Sequence, residues 1–84
     1  MQQIYQNIEM RSIATLRPYA RNARTHSKKQ IKQIADSISR FGFVNPVLVS
    51  DAGEIVAGHG RVEAARLLQM REVPTITPVS YTHL

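Results

Sequence analysis

The segment from Ser27 to Gly42 carries start and stop signals for a single amphipathic helix. Ser27 and Gln30 have the spacing of a capping box, in which each side chain accepts a hydrogen bond from the other residue's backbone N–H. Apolar residues then recur at helical spacing: Ile31, Ile34, Ala35, Ile38 and Phe41. Gly42 stands where a left-handed C-terminal cap is favoured. The pattern predicts a helix over about residues 27–41 that packs on a sheet.

A hairpin and a second helix are predicted to follow. Proline blocks a helix, so the apolar run over residues 46–49 predicts a strand covered on both faces. Residues 51–53 favour a turn, and residues 54–57 a partner strand. Apolar spacing predicts a helix at about residues 61–70. Residues 73–77 are predicted to form a final strand.

The first part of the chain mixes β-branched and polar residues. Residues 4–16 predict a strand that leads into a loop. Its apolar anchors are Ile4, Ile8, Met10 and Ile13. Residues 17–26 have no apolar period and predict a loop. The complete order predicts a small α/β domain with a mixed sheet. Pro46 begins a strand pattern where the recognition helix of a helix-turn-helix would have to start, which argues against that class.

Length and composition limit the classes of function. At 84 residues the chain forms one domain. It has no Cys, which removes disulfides, thiolate zinc sites and catalytic thiols, and its three His lie on unrelated segments, so we expect no metal site. No signal peptide or apolar run of ~20 residues is present, so we expect a cytoplasmic chain with no membrane partner. Residues 80–84 form a tail that is either foreign sequence joined to a truncated reading frame or a genuine short tail, which puts the domain at residues 1–79.

Positive charge is concentrated in one stretch. The chain has 11 Lys and Arg against 6 Asp and Glu, and no acidic residue lies between Glu9 and Asp36. Six basic residues of this stretch lie at positions 17–32: Arg17, Arg21, Arg24, Lys28, Lys29 and Lys32. They form either a solvated surface or a contact with nucleotide or nucleic-acid phosphates. Tyr19 is the only aromatic residue among them, so readout of single-stranded nucleic acid has little support.

The turn Gly58-His59-Gly60-Arg61 lies between a predicted strand and a predicted helix. A helix start offers unpaired N–H groups and the positive end of the helix dipole, which together stabilise an anion. Two glycines allow the backbone to approach a phosphate closely, and Arg61 offers a fork of donors. The turn predicts a phosphate site; a tight turn with a surface arginine is the structural alternative.

Several motifs together resemble one known family. They are Asp36-Ser37-Ile38, the run from Phe41 to Val49, the run from Ile55 to Arg61, Ala64-Ala65 and Val73-Pro74. In their order and spacing they resemble the ParB/sulfiredoxin domain over about residues 13–76. Residues 22–27 and the Ala-Gly-His-Gly-Arg turn are most similar to the ParB-like domain at the N-terminus of phage and bacterial DNA-modification methylases. No methylase motif or S-adenosylmethionine loop is present, so the resemblance implies an accessory module.

The resemblance also implies a nucleotide site. In partition-type ParB proteins a Gly-Glu-Arg-Arg turn holds the triphosphate of CTP, a Gly-x-x-Gln-Pro segment lies beside the nucleotide, and a loop Arg assists. By position, Gly58 and Arg61 match the outer residues of that turn. The second segment is matched by Gly42, Asn45 and Pro46, and the loop arginine by Arg24. The implied cofactor is a nucleoside triphosphate with Mg²⁺.

The departures from the family pattern concern hydrolysis. His59 and Gly60 replace the Glu and the first Arg of the turn, and Asn45 replaces the Gln. Binding is therefore expected to survive better than cleavage. His59 also replaces the Cys of sulfiredoxins, which excludes their chemistry. His59 acts either as a phosphate donor or general acid/base, or as a spacer. His26 is interpreted as a loop residue and Phe43 as a core residue.

Three hypotheses follow. The first is a nucleotide-binding module of a DNA-modification or DNA-partition protein, with DNA contacted directly or through a fused domain, and with a homodimer as one possible state. The second is an enzyme of the same fold, an NTPase, phosphotransferase or nuclease, that uses His59 or Glu63. No carboxylate cluster for a nuclease metal is evident. The third is a DNA-binding module that uses the basic residues at 17–32.

Overall fold

The computed structural model describes residues 8–18 and 26–77. One mixed sheet has the strand order β1-β5-β3-β4-β2. The strands are β1 (Glu9–Ser12), β2 (Arg17–Pro18), β3 (Val47–Val49), β4 (Glu54–Ala57) and β5 (Glu72–Ile76), and the helices are α1 (Lys28–Phe41) and α2 (His59–Leu67). Strands β3 and β4 form the predicted antiparallel hairpin, and β5 runs parallel to β3. The predicted α/β class with a mixed sheet is confirmed.

Helix α1 has the predicted start. Ser27 Oγ accepts from Gln30 N, and Gln30 Oε1 accepts from Ser27 N, both at 3.1 Å, which completes the capping box. At the other end Gly42 has φ 75° and ψ −171°, a conformation that essentially only glycine adopts. Phe41 is 72% exposed, so its predicted place on the buried stripe is wrong. It is the last residue of α1.

Helix α2 begins at His59, two residues earlier than predicted, and ends at Leu67, three residues before the predicted end. Its end is a Schellman motif. Met70 N donates to Ala65 O and Gln69 N donates to Arg66 O, both at 2.9 Å, while Gln69 takes φ 61°. This turn directs the side chain of Met70 into the core.

The core has two layers that meet at α2. The buried face of the sheet packs against Val62 and Ala65 of α2. Ala64, on another side of α2, packs against Ala35 and Ile38 of α1. Helix α1 therefore packs mainly on α2, not directly on the sheet as predicted. Because both helices pack together, His26, which precedes the cap of α1, is brought beside the start of α2.

The N-terminal part of the chain differs most from expectation. The predicted strand is confined to β1, and residues 13–15 form a 3-10 turn. Ile8 and Met10 are 61% and 56% exposed, so they are not core anchors, whereas Ile13 is buried as expected. β1 is an edge strand, so the side chain of Met10 is left uncovered on it, and Ile8 precedes the strand. Residues 17–18, predicted as loop, pair in parallel with β4.

Ile4, Tyr19 and the tail at 80–84 lie outside the described residues. Within the described ranges, no helix is both long enough and apolar enough to cross a membrane.

Candidate functional site

Gly58 makes the junction between β4 and α2. It takes φ 103° and ψ 22°, in the left-handed region, and serves as the N-cap of α2. This conformation, which favours glycine, reverses the chain directly from strand to helix. As a result His59, Gly60 and Arg61 are the first three residues of the helix.

The first turn of α2 keeps its N–H groups open. The helical ladder starts with Val62 N donating to Gly58 O at 3.0 Å, so the N–H groups of residues 59–61 precede it. Among the residues that the structure describes, no side chain caps this helix start, and no acidic residue lies in its first turn. The positive end of the dipole therefore has no negative partner in this turn, which suits an anion.

The side chain of Arg61 folds back over the start of its own helix. A Cβ atom on Gly58 would stand 3.1 Å from Arg61 Nη2 and 3.4 Å from Arg61 Nε. Nη2 donates to Pro46 O at 3.4 Å, a long hydrogen bond. Arg61 Nε is buried and, among the residues described, has no hydrogen-bond partner. A guanidinium has five donors, so most of this group's capacity is left for a ligand.

Two imidazoles lie beside this turn. Gly60 is buried, and a Cβ atom there would stand 2.9 Å from Ile34 Cδ1 and 3.1 Å from His26 Nε2. Glycine at this position lets the His26 ring lie against the backbone of α2. His59 Nε2 is buried and also lacks a hydrogen-bond partner within the described ranges. Burial lowers the pKa of His59, and the nearby His26 lowers it further, while Glu63 acts in the opposite direction.

The other residues predicted to bind the nucleotide differ in how close the structure places them to this turn. Pro46 supplies the carbonyl that holds Arg61. Asn45 is exposed in the bend before β3. Gly42 has open space where a Cβ would stand, so its glycine serves backbone conformation and not a close approach. Arg24, the predicted loop arginine, lies outside the described residues. Phe43 packs against both core clusters, in agreement with its predicted core role.

The basic residues predicted for nucleic acid lie on two elements. Arg17 is exposed on β2, with Nη2 3.4 Å from Ala52 O. Lys28, Lys29 and Lys32 are exposed on the first two turns of α1. Arg21 lies outside the described residues. Two of the three lysines, Lys28 and Lys29, are at the end of α1 that follows His26.

The acidic residues do not form a cation site in the described ranges. No group of three or more His, Asp or Glu side chains there could hold a metal ion. Glu63, the alternative catalytic residue, is exposed and pairs with Arg66 at 3.3 Å.

His26 was missed as a site residue. From the sequence it precedes a helix cap and resembles any polar loop residue. Its place at the turn depends on how α1 packs on α2, which the apolar stripe does not specify. One sequence signal could have indicated the position of His26. Gly60 is a glycine inside a helix, and such a residue often marks a place where another group approaches the helix backbone closely.

Comparison with known proteins identifies the family of this chain. The family described as ParB N-terminal domain matches residues 1–82. The ParB-like nuclease domain-containing protein YnaK of Escherichia coli is 55% identical over 69 residues, which are 82% of this chain and 79% of that protein. The probable chromosome-partitioning protein ParB of Rickettsia typhi is 33% identical over 70 residues. The match covers 82% of this chain but only 24% of that protein, so this chain spans about a quarter of it.

Solved structures share the fold. The C-terminally truncated chromosome-partitioning protein ParB from Caulobacter crescentus, complexed with CTP-gamma-S, matches with a TM-score of 0.75 and 27% identity over 84% of this chain and 43% of that chain. Sulfiredoxin from Arabidopsis thaliana matches with a TM-score of 0.71 and 20% identity, over 84% of this chain and 83% of that chain, which shows the fold alone. The predicted ParB/sulfiredoxin fold is confirmed. The chain belongs to the ParB N-terminal domain family.

Proposed function

We propose that this chain is a nucleotide-binding module that holds the phosphates of a nucleoside triphosphate at the turn from Gly58 to Arg61. The observation that carries the proposal is the buried Arg61 Nε, which has no partner in the described ranges and belongs to a guanidinium packed on a left-handed glycine. Leaving a buried donor unpaired costs about 1–3 kcal/mol, more for a charged group. An anion at this place would satisfy Arg61 and the open N–H groups together.

CTP is the first nucleotide to test. The Caulobacter crescentus ParB that shares this fold at 27% identity is complexed with CTP-gamma-S. In our proposal the backbone N–H groups of residues 59–61 bind phosphate oxygens, and Arg61 pairs with their charge. A magnesium ion would be bound through the phosphates of the nucleotide, as Mg²⁺ commonly is.

Holding a nucleotide is favoured over cleaving it. Hydrolysis needs a group that positions or activates a water molecule. Glu63 is exposed and pairs with Arg66. His59 is the first residue of α2, so its own backbone N–H belongs to the proposed phosphate site. Its side chain is the remaining candidate for general acid/base chemistry. Within the family, we propose that the module serves a DNA-partition or DNA-modification protein; the methylase assignment rests on sequence resemblance.

Calorimetric titration tests the proposal. CTP, ATP, GTP and S-adenosylmethionine are added separately, with and without Mg²⁺. We expect binding of at least one nucleoside triphosphate, lost or weakened about tenfold or more in Arg61→Ala, since a charge-assisted hydrogen bond contributes about 1.5–3 kcal/mol. Arg40→Ala, an exposed arginine in the last turn of α1, is the matched control. If no nucleotide binds, or if Arg61→Ala binds as wild type does, the proposal is wrong.

A DNA contact at the start of α1 is the second candidate. Lys28 and Lys29 are exposed in the first turn of this helix, where positive charge opposes the helix dipole and costs up to about 1 kcal/mol for each residue. A nearby polyanion would offset that cost. Duplex DNA binding with a steep salt dependence, weakened in Lys28→Ala and Lys29→Ala, would support this contact. Salt-independent binding would count against it.

A further inference from the structure

Each helix of this domain brings one imidazole to the same place. His26 immediately precedes Ser27, whose capping box fixes the start of α1 through two hydrogen bonds of 3.1 Å. His59 is the first residue of α2. The His26 ring rests on Gly60, with Nε2 3.1 Å from the position of a Cβ atom there. The two histidines thus belong to one cluster at the start of α2, although they are 33 positions apart in the sequence.

We propose that His26 and His59 form an imidazole pair that contacts the bound phosphate, and that phosphate binding takes up one proton at this pair. The inference rests on the proposed function, because it assigns further ligand-contacting residues to the same site. It makes His26 a binding residue of this domain and makes the affinity for phosphate depend on pH.

The geometry favours a protonated His59 when phosphate is bound. His59 Nε2 is buried and unpartnered within the described residues, so a hydrogen bond from this nitrogen to a phosphate oxygen would satisfy it. A neutral imidazole has one donor and one acceptor, whereas a protonated imidazole has two donors and no acceptor. Phosphate oxygens accept hydrogen bonds, so the bound anion favours the protonated form.

The charges around the pair set the direction of the effect. His26 lies before α1, and Arg61 and Glu63 flank His59 on α2. In the free protein, burial and His26 lower the pKa of His59, and Glu63 raises it. A bound phosphate adds negative charge at the same place and raises the pKa again. One proton leaves the buffer acid and binds an imidazole nitrogen of the pair, so one N–H bond forms as the bond to the buffer breaks, and no other covalent bond changes.

Calorimetry in two buffers measures the proton directly. Inorganic phosphate, and separately CTP, are titrated at about pH 7 in Hepes and in Tris, whose ionisation enthalpies differ. After correction for the ionisation of the phosphate itself, we expect the two binding heats to differ by the uptake of about one proton, and the affinity to fall up to about tenfold per unit as the pH rises. His59→Gln should abolish the uptake, and His26→Gln should weaken phosphate binding. Arg40→Gln, at the far end of α1, should retain both uptake and affinity.

The outcomes separate the two proposals. Phosphate binding with equal heats in both buffers and no loss in His26→Gln overturns the imidazole pair but leaves the nucleotide site standing. No binding of phosphate or CTP at any pH overturns both. If the variants fold poorly, the ring proton signals of wild-type His59 are followed by NMR during a pH titration. Added phosphate must then raise the pKa of His59, and an unchanged pKa overturns the pair.

Discussion

The guanidinium of Arg61 lies over the backbone of Gly58, with Nη2 3.1 Å from the position that a Cβ atom on Gly58 would occupy. The same glycine has φ 103°. Glycine at this position therefore has two roles: it allows the left-handed backbone of the junction, and its lack of a side chain leaves room for the guanidinium. Both roles place the arginine beside the open N–H groups of α2, where an anion is stabilised.

Replacing Gly58 by alanine should damage both the fold and the site. A non-glycine residue at this φ costs of order 1–3 kcal/mol, and the new methyl group would displace Arg61. We expect a lower urea midpoint and a loss of phosphate affinity. Gly53→Ala is the control, because Gly53 has φ 83° but lies at the hairpin turn, near Thr15 and away from α2. It should lose stability and keep its phosphate affinity; equal affinity in both variants would contradict the role of Gly58.

Gly60→Ala sets two effects against each other. Alanine inside a helix gains roughly 0.5–1 kcal/mol over glycine. The added methyl group would meet Ile34 Cδ1 at 2.9 Å and His26 Nε2 at 3.1 Å. Both atoms end movable side chains, so we expect a stability change of less than about 1 kcal/mol together with a displaced His26. NMR of the His26 ring protons checks this, and unchanged shifts would show that the ring does not rest on Gly60.

The stability of the ligand-free protein should depend on His59. Its pKa in the folded protein is lowered from 6.5. Between 6.5 and that lower value the unfolded chain binds more protons than the folded one, so stability is lost as the pH falls through this window. Urea unfolding at a series of pH values should show this loss in wild type and a smaller loss in His59→Gln. Identical pH dependence in the two proteins would show that His59 is not perturbed.

Local signals in the sequence were enough for most of the fold. The capping box at Ser27, the strand after Pro46 and the glycine before α2 each act over a few residues, and each prediction located its element. The errors arose where packing decides. Phe41 has the right spacing for the buried stripe but is exposed at the end of α1, and Met10 is apolar but lies on an edge strand.

The candidate site shows the same difference between features that local sequence predicts and features that packing determines. The Gly58–Arg61 turn was identifiable because a glycine pair and an arginine at a helix start are adjacent in sequence. The position of His26 was not, because it depends on two helices packing together. Pro46 was implied by family resemblance, but its role as the acceptor for Arg61 depends on the path of β3 beside the turn.

The most direct test of the phosphate site follows the backbone amides of residues 59–61 by NMR while CTP is added. Our account predicts that the amide signals of His59, Gly60 and Arg61 shift together and saturate with the same affinity that calorimetry gives. In Arg61→Ala these shifts should require much higher CTP concentrations. Saturable CTP binding that leaves these three amides unmoved, and shifts residues elsewhere instead, would contradict the account.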